Sequence, residues 1–159
     1  MVVAAGDYLP GAKIRQLKKG TSDANIVKGA LLYVSSNLWT ITPASAGAKA
    51  PFGVAARTPA TTDSTVDVIQ EGIVYLVAGG TIQPGSFVQN DPNTAGQVVA
   101  FASSTIPTTP AQTDVQNAST DFLRVVGLYE GHENENSLNN PPTAAASSDV
   151  IRVRLNEVS

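Results

Sequence analysis

The feature that most constrains this chain is its punctuation: 13 glycines and 10 prolines are spread along 159 residues. They interrupt the chain too often for it to be built from helices of normal length. Between them lie short runs rich in Val, Ile, Leu, Tyr, Phe and Thr, which is strand chemistry. The clearest are 31–34, 38–42, 53–57, 65–70, 73–78, 87–89, 97–101, 122–129 and 150–155. The last alternates, with Val150, Arg152 and Arg154 on one side and Ile151, Val153 and Leu155 on the other. Many short strands separated by turn residues predict an all-β barrel or sandwich.

The strand-and-turn phrasing occurs twice in the same order. Lys28-Gly29-Ala30-Leu31-Leu32 leads to 38–42, then Phe52-Gly53-Val54-Ala55, then Val66-Asp67-Val68-Ile69. Pro84-Gly85-Ser86-Phe87-Val88 leads to 97–101, then Val126-Gly127-Leu128-Tyr129, then Val150-Ile151-Arg152-Val153. This order predicts a small pseudo-two-fold β-barrel or β-tulip-like domain over residues 25–159, with halves at about 28–69 and 84–155 joined by a hairpin-like 73–82. Residues 1–24 have no counterpart ahead of the second half and are expected to form an N-terminal arm. That arm would dock on a partner by strand addition or pair with its own barrel as an edge strand. Two long loops, 103–121 and 131–149, lack apolar periodicity and carry Pro107, Pro110, Pro141 and Pro142, so they are expected to project.

Charge is scarce: 14% of residues are Asp, Glu, Lys or Arg, against about 25% in an average soluble domain. Ala, Ser, Thr, Asn and Gln take their place, giving a surface that is polar but cheap to desolvate, as interface cores are. A net charge of -3 supports no electrostatic attraction to nucleic acid or membranes, and no apolar run approaches a membrane span. The start of the chain lacks the basic and apolar regions of a secretory signal.

Candidate chemistry is thin. There is no cysteine, and His132 in Glu130-Gly131-His132-Glu133-Asn134-Glu135 is the single histidine. Without a second histidine at zinc spacing or an EF-hand pattern, that stretch reads as a solvated acidic turn, and no metal or cofactor is expected. No Gly-x-Ser-x-Gly elbow or phosphate-binding loop is present, so the chain is expected not to be an enzyme. Lys13, Arg15, Lys18 and Lys19 form the one basic cluster, too isolated for a nucleic-acid stripe. Tyr33 and Trp39 are expected in the core.

With Lys28-Gly29-Ala30-Leu31-Leu32, Pro51-Phe52-Gly53-Val54-Ala55, Val66-Asp67-Val68-Ile69-Gln70-Glu71-Gly72 and Gly80-Thr81-Ile82-Gln83-Pro84-Gly85-Ser86-Phe87-Val88 in order, the chain resembles the capsid decoration (head-stabilising, cement) proteins of tailed bacteriophages. The resemblance covers roughly residues 25–129 and the closing strand. It implies a virion protein, made in the host cytoplasm, that forms homotrimers at three-fold sites on the outer surface of the expanded capsid. It implies the major capsid protein as partner, and no nucleic acid or membrane. Its capsid-contacting arm would run from Met1 to about Lys19, using Val2, Val3, Tyr8, Leu9, Pro10, Lys13 and Arg15. The competing expectation is a phage fibre or carbohydrate-recognition β domain. That would call for aromatics in the long loops, and 103–121 and 131–149 contain no Trp, Tyr or Phe.

Overall fold

The computed structural model describes residues 2–20, 26–35, 40–45, 51–102, 108–109, 111–114, 116, 125–133, 135 and 140–155. Among the described residues nine strands are formed: β1 (Lys13–Lys18), β2 (Leu31–Val34), β3 (Ile41–Pro43), β4 (Gly53–Ala55), β5 (Thr65–Ala78), β6 (Phe87–Asn90), β7 (Gln97–Ala100), β8 (Val125–Gly131) and β9 (Val150–Leu155). The all-β expectation holds. Most of loop 103–121, together with Trp39, lies outside the described residues.

The 14-residue β5 organises the chain because its two ends serve different sheets. Its C-terminal part pairs antiparallel with β9 from Gly72↔Leu155 to Val77↔Val150, and parallel with β7 at Val77↔Gln97 and Ala78↔Val98. β7 pairs with β6, β6 with β8 and β8 with β9, so the circuit returns to β5 and closes a five-stranded barrel. Closure leaves these strands no free edge. The N-terminal part of β5 pairs antiparallel with β1 on one side and β4 on the other. β4 continues to β2 and β2 to β3, and Lys19 reaches Ile41 of β3 through a parallel bridge.

Three expectations are corrected here. Residues 73–82 do not form a separate hairpin, because 73–78 continue β5 and Ile82 bridges Ala145 instead. Runs 65–70 and 73–78, read from sequence as separate strands, are one strand joined through Gly72 at φ +101°, where Ala12 passes so close that a Cβ would meet its Cα at 2.8 Å. A glycine accepts that conformation without steric cost, so the strand turns from one sheet into the other without stopping. Nor does all of loop 131–149 project: Ala145 is buried in the core and exchanges backbone bonds with Ile82.

The inward positions of the closed barrel, Val74, Leu76, Val88, Val98, Tyr129, Ile151 and Val153, share one core. Period-2 alternation puts the intervening residues outside. The β1–β4 unit has its own smaller core of Ile26, Ala30, Leu32, Ile41, Ala55, Val66 and Val68. Its opposite face, Leu31, Val54 and Ile69, is buried in the barrel's core cluster, so the two sheets are fastened by apolar burial. Full burial of such side chains stabilises by about 1.5–3 kcal/mol each.

Candidate interaction surface

The N-terminal residues follow one edge of β5. Gly6 N–H donates to Tyr75 O at 2.7 Å, Tyr75 N–H to Asp7 O at 2.8 Å and Leu9 N–H to Ile73 O at 3.0 Å. β1 then extends this pairing to Thr65, and Lys28 pairs with the Asp7 carboxylate. The Ala4 N–H also bonds Asp7 Oδ2 at 2.8 Å, which fixes the turn ahead of the paired segment. Of the two expectations for this segment, pairing with its own barrel is therefore realised over residues 6–19. The sequence hid this because β1 offers one apolar residue per face, Ile14 and Leu17, among four charged or polar ones.

The seven arm residues fall in different surroundings. Val2 is 94% exposed, Val3 and Leu9 are half-buried, and Tyr8 and Pro10 are exposed. Lys13 is bonded to Glu71 at 2.7 Å, an exposed pair of small energetic weight. Arg15 is exposed and has no side-chain partner among the described residues.

A second surface was not anticipated. In register across the barrel's outside stand Phe87 of β6, Leu128 of β8, Arg154 of β9 and Ile73 of β5, with Leu9 bonded next to Ile73. Adjacent strands lie about 4.8 Å apart, so the row spans about 19 Å. Four of its five residues are apolar, and Phe87 is 54% exposed. Arg154 within the row is tied to Glu130 at 2.6 Å, which leaves its charge compensated. The signal in the sequence was present but weak: single apolar residues at outward positions of three strands and in the N-terminal segment become a row only once register is known.

The acidic stretch around His132 is more structured than a solvated turn. His132 Nδ1 lies 3.1 Å from Glu135 Oε2 and its Nε2 lies 3.2 Å from Asp149 Oδ2. Glu135 also accepts from the His132 N–H at 2.7 Å, the Thr143 N–H at 3.1 Å and the Thr143 hydroxyl at 2.6 Å. Burial alone would raise the Glu135 carboxyl, but these hydrogen bonds outweigh it and hold the group down to about 2. Tyr129 donates its hydroxyl to Thr143 O at 2.7 Å, and its phenol is pushed up to about 12, first by burial and then by the charges of Glu135 and Asp149. The hub fastens residues 140–149 to β8 and β9. Among the described residues no three His, Asp or Glu side chains converge as a metal site would require.

The sequence matches no protein-family model and no curated protein.

Proposed function

We propose that this chain is a non-catalytic structural protein of a tailed-phage virion. It binds the major capsid protein on the outer surface of the expanded shell, as trimers at three-fold sites, and stabilises the lattice. The observation that carries the reading is the outward apolar row Phe87–Leu128–Ile73–Leu9 on a charge-poor barrel, with Phe87 exposed and the other three half-buried. An exposed apolar strip with its one cation already paired costs little to desolvate and gains from being covered. A trimer presents three such strips at once, so modest contacts add by avidity.

We further infer that the two sheets are the duplicated halves of an internal repeat, and that β1 belongs to the first of them. Matched backbone bonds support this. Gly29 N–H to Ala55 O (2.9 Å) corresponds to Gly85 N–H to Tyr129 O (3.1 Å), and Ala55 N–H to Ala30 O (2.9 Å) to Tyr129 N–H to Ser86 O (3.0 Å). Ala44 N–H to Leu31 O (2.7 Å) corresponds to Phe101 N–H to Phe87 O (2.8 Å). Lys19 N–H to Ser64 O (2.9 Å) corresponds to Ala78 N–H to Asp149 O (2.8 Å), and Gly20 N–H to Ile41 O (3.2 Å) to Gly79 N–H to Val98 O (2.8 Å). In this register Ile14 and Leu17 of β1 correspond to Ile73 and Leu76 of β5. The row Leu31–Val54–Ile69, buried against the barrel, corresponds to Phe87–Leu128–Arg154, which is open. An outward row that is covered in one half and uncovered in the other is where an assembly partner fits.

The test is co-sedimentation with undecorated expanded shells. Removing residues 1–19 is not a usable probe, since it strips a strand from β5. Phe87→Glu and deletion of residues 1–3 leave every backbone pairing in place. The proposal predicts saturable binding that Phe87→Glu weakens at least tenfold. Absence of binding by the folded parent chain would sink it.

A further inference from the structure

The two halves differ at one backbone position. On β5 the outward-facing backbone groups of Ile73 and Tyr75 are taken up by residues 6–9. In the repeat register their counterparts are Ile14 and Gln16 of β1. Lys19 N–H bonds Ser64 O, so the odd-numbered residues of β1 face β5 and Ile14 and Gln16 face away from it. Among the described residues no backbone group bonds them there, since β1 pairs with β5 alone until Lys19 reaches Ile41. One half therefore carries a filled strand slot and the other an open one.

We propose that the open slot at Ile14–Gln16 receives a short, extended, acidic segment of another protein, added antiparallel to β1 as residues 6–9 are added to β5. The inference rests on the repeat equivalence, but it does not require that the partner be a capsid protein. The Gln16 N–H would donate as Tyr75 N–H does to Asp7, and the Gln16 and Ile14 carbonyls would accept as those of Tyr75 and Ile73 do from Gly6 and Leu9. Charge selects the occupant. Arg15 and Lys18 flank the slot exposed and without carboxylate partners among the described residues, whereas Lys13 beside them is paired with Glu71. The segment that fills the matching slot itself carries an acid, Asp7, held by Lys28. A second copy is a poor occupant by the same logic. β1 against β1 about the slot sets Arg15 opposite the Arg15 of the other copy, and like charges across a strand pair repel. Lysines on an edge are also a common guard against such self-pairing.

The experiment titrates the full chain, labelled with nitrogen-15, with an N-acetylated, C-amidated hexapeptide alternating Val and Glu. A Val/Lys hexapeptide is run in parallel. Expected are saturable amide shifts confined to residues 13–19 and their β5 partners, with slowed hydrogen exchange at Gln16, for the Glu peptide only. Gln16→Pro should reduce affinity at least tenfold without lowering the melting temperature appreciably, because the amide it removes faces away from β5. Lys18→Glu should weaken binding with the edge intact. Equal response to the Lys peptide, shifts elsewhere, or no shift at about 1 mM peptide, a generous limit for a weak edge contact, would overturn the proposal. So would concentration-dependent dimerisation through residues 13–18, which would make a second copy the occupant. A slow Gln16 amide in the free chain would instead refute the open slot while leaving the repeat equivalence standing, which separates that failure from a wrong occupant and from a failure of the proposed repeat.

Discussion

Replacing Gly127 with alanine tests the close strand contact on which the β8–β9 register and the proposed repeat both depend. A Cβ at this position would press on the Arg154 carbonyl oxygen, 2.8 Å from its carbon and 3.0 Å from Val153 Cγ1. An ordinary carbon–carbon contact lies at about 3.5–4.0 Å, so β8 and β9 would have to part by roughly 0.7 Å or more. A ladder bond of about 2.9 Å stretched that far is largely lost, and two such bonds are worth about 2 kcal/mol net. Forcing a methyl into a packed site adds about 1–3 kcal/mol. The sum predicts destabilisation by about 3–5 kcal/mol, or roughly 10 °C in melting temperature for a chain of this size. Gly53→Ala meets Ile69 O at 2.5 Å and Val68 Cγ1 at 2.6 Å and should cost a similar amount. Gly80→Ala, with nothing within 4 Å, is the control and should stay within about 0.5 kcal/mol of the parent. Urea unfolding at fixed pH measures all three. A Gly127→Ala chain as stable as Gly80→Ala would refute the strand contact described for β8 and β9.

Three further outcomes follow from the same structure. Glu135 is depressed from 4.5 to about 2, so the stability it contributes is present above its ordinary range and lost as pH falls towards 2; unfolding free energy measured from pH 6 to 2.5 should fall less steeply in Glu135→Gln. Tyr129→Phe removes the 2.7 Å bond to Thr143 O and should cost about 1 kcal/mol in urea unfolding, with faster hydrogen exchange across 140–146. Deleting residues 1–3 should leave stability unchanged. Deleting 1–12 removes three backbone bonds to β5 and should cost about 3 kcal/mol, read as a lower unfolding midpoint.

The strands legible in the sequence were those whose apolar residues alternate within a short run bounded by Gly or Pro. β9 is the clearest, with Ile151, Val153 and Leu155 inward as expected, although Arg152 on its other face proved buried. β1 was illegible as a strand because its pairing is decided by β5, some 50 residues away, and its own residues advertise only charge. Gly72 misled for the opposite reason: a residue that usually ends a strand here lets one strand serve two sheets. The outer row and the His132 hub were out of reach on similar grounds. Phe87, Leu128 and Ile73 meet through register, and Asp149 reaches His132 from 17 residues away, so neither leaves a local pattern.

The measurement that bears most directly on the central proposal is electron cryomicroscopy of expanded shells mixed with the purified chain. The account predicts three copies around each local three-fold axis on the outer surface, with Phe87 and Leu128 covered by a neighbouring copy or the shell. Shells that stay bare, or copies bound singly with that row facing solvent, would contradict it.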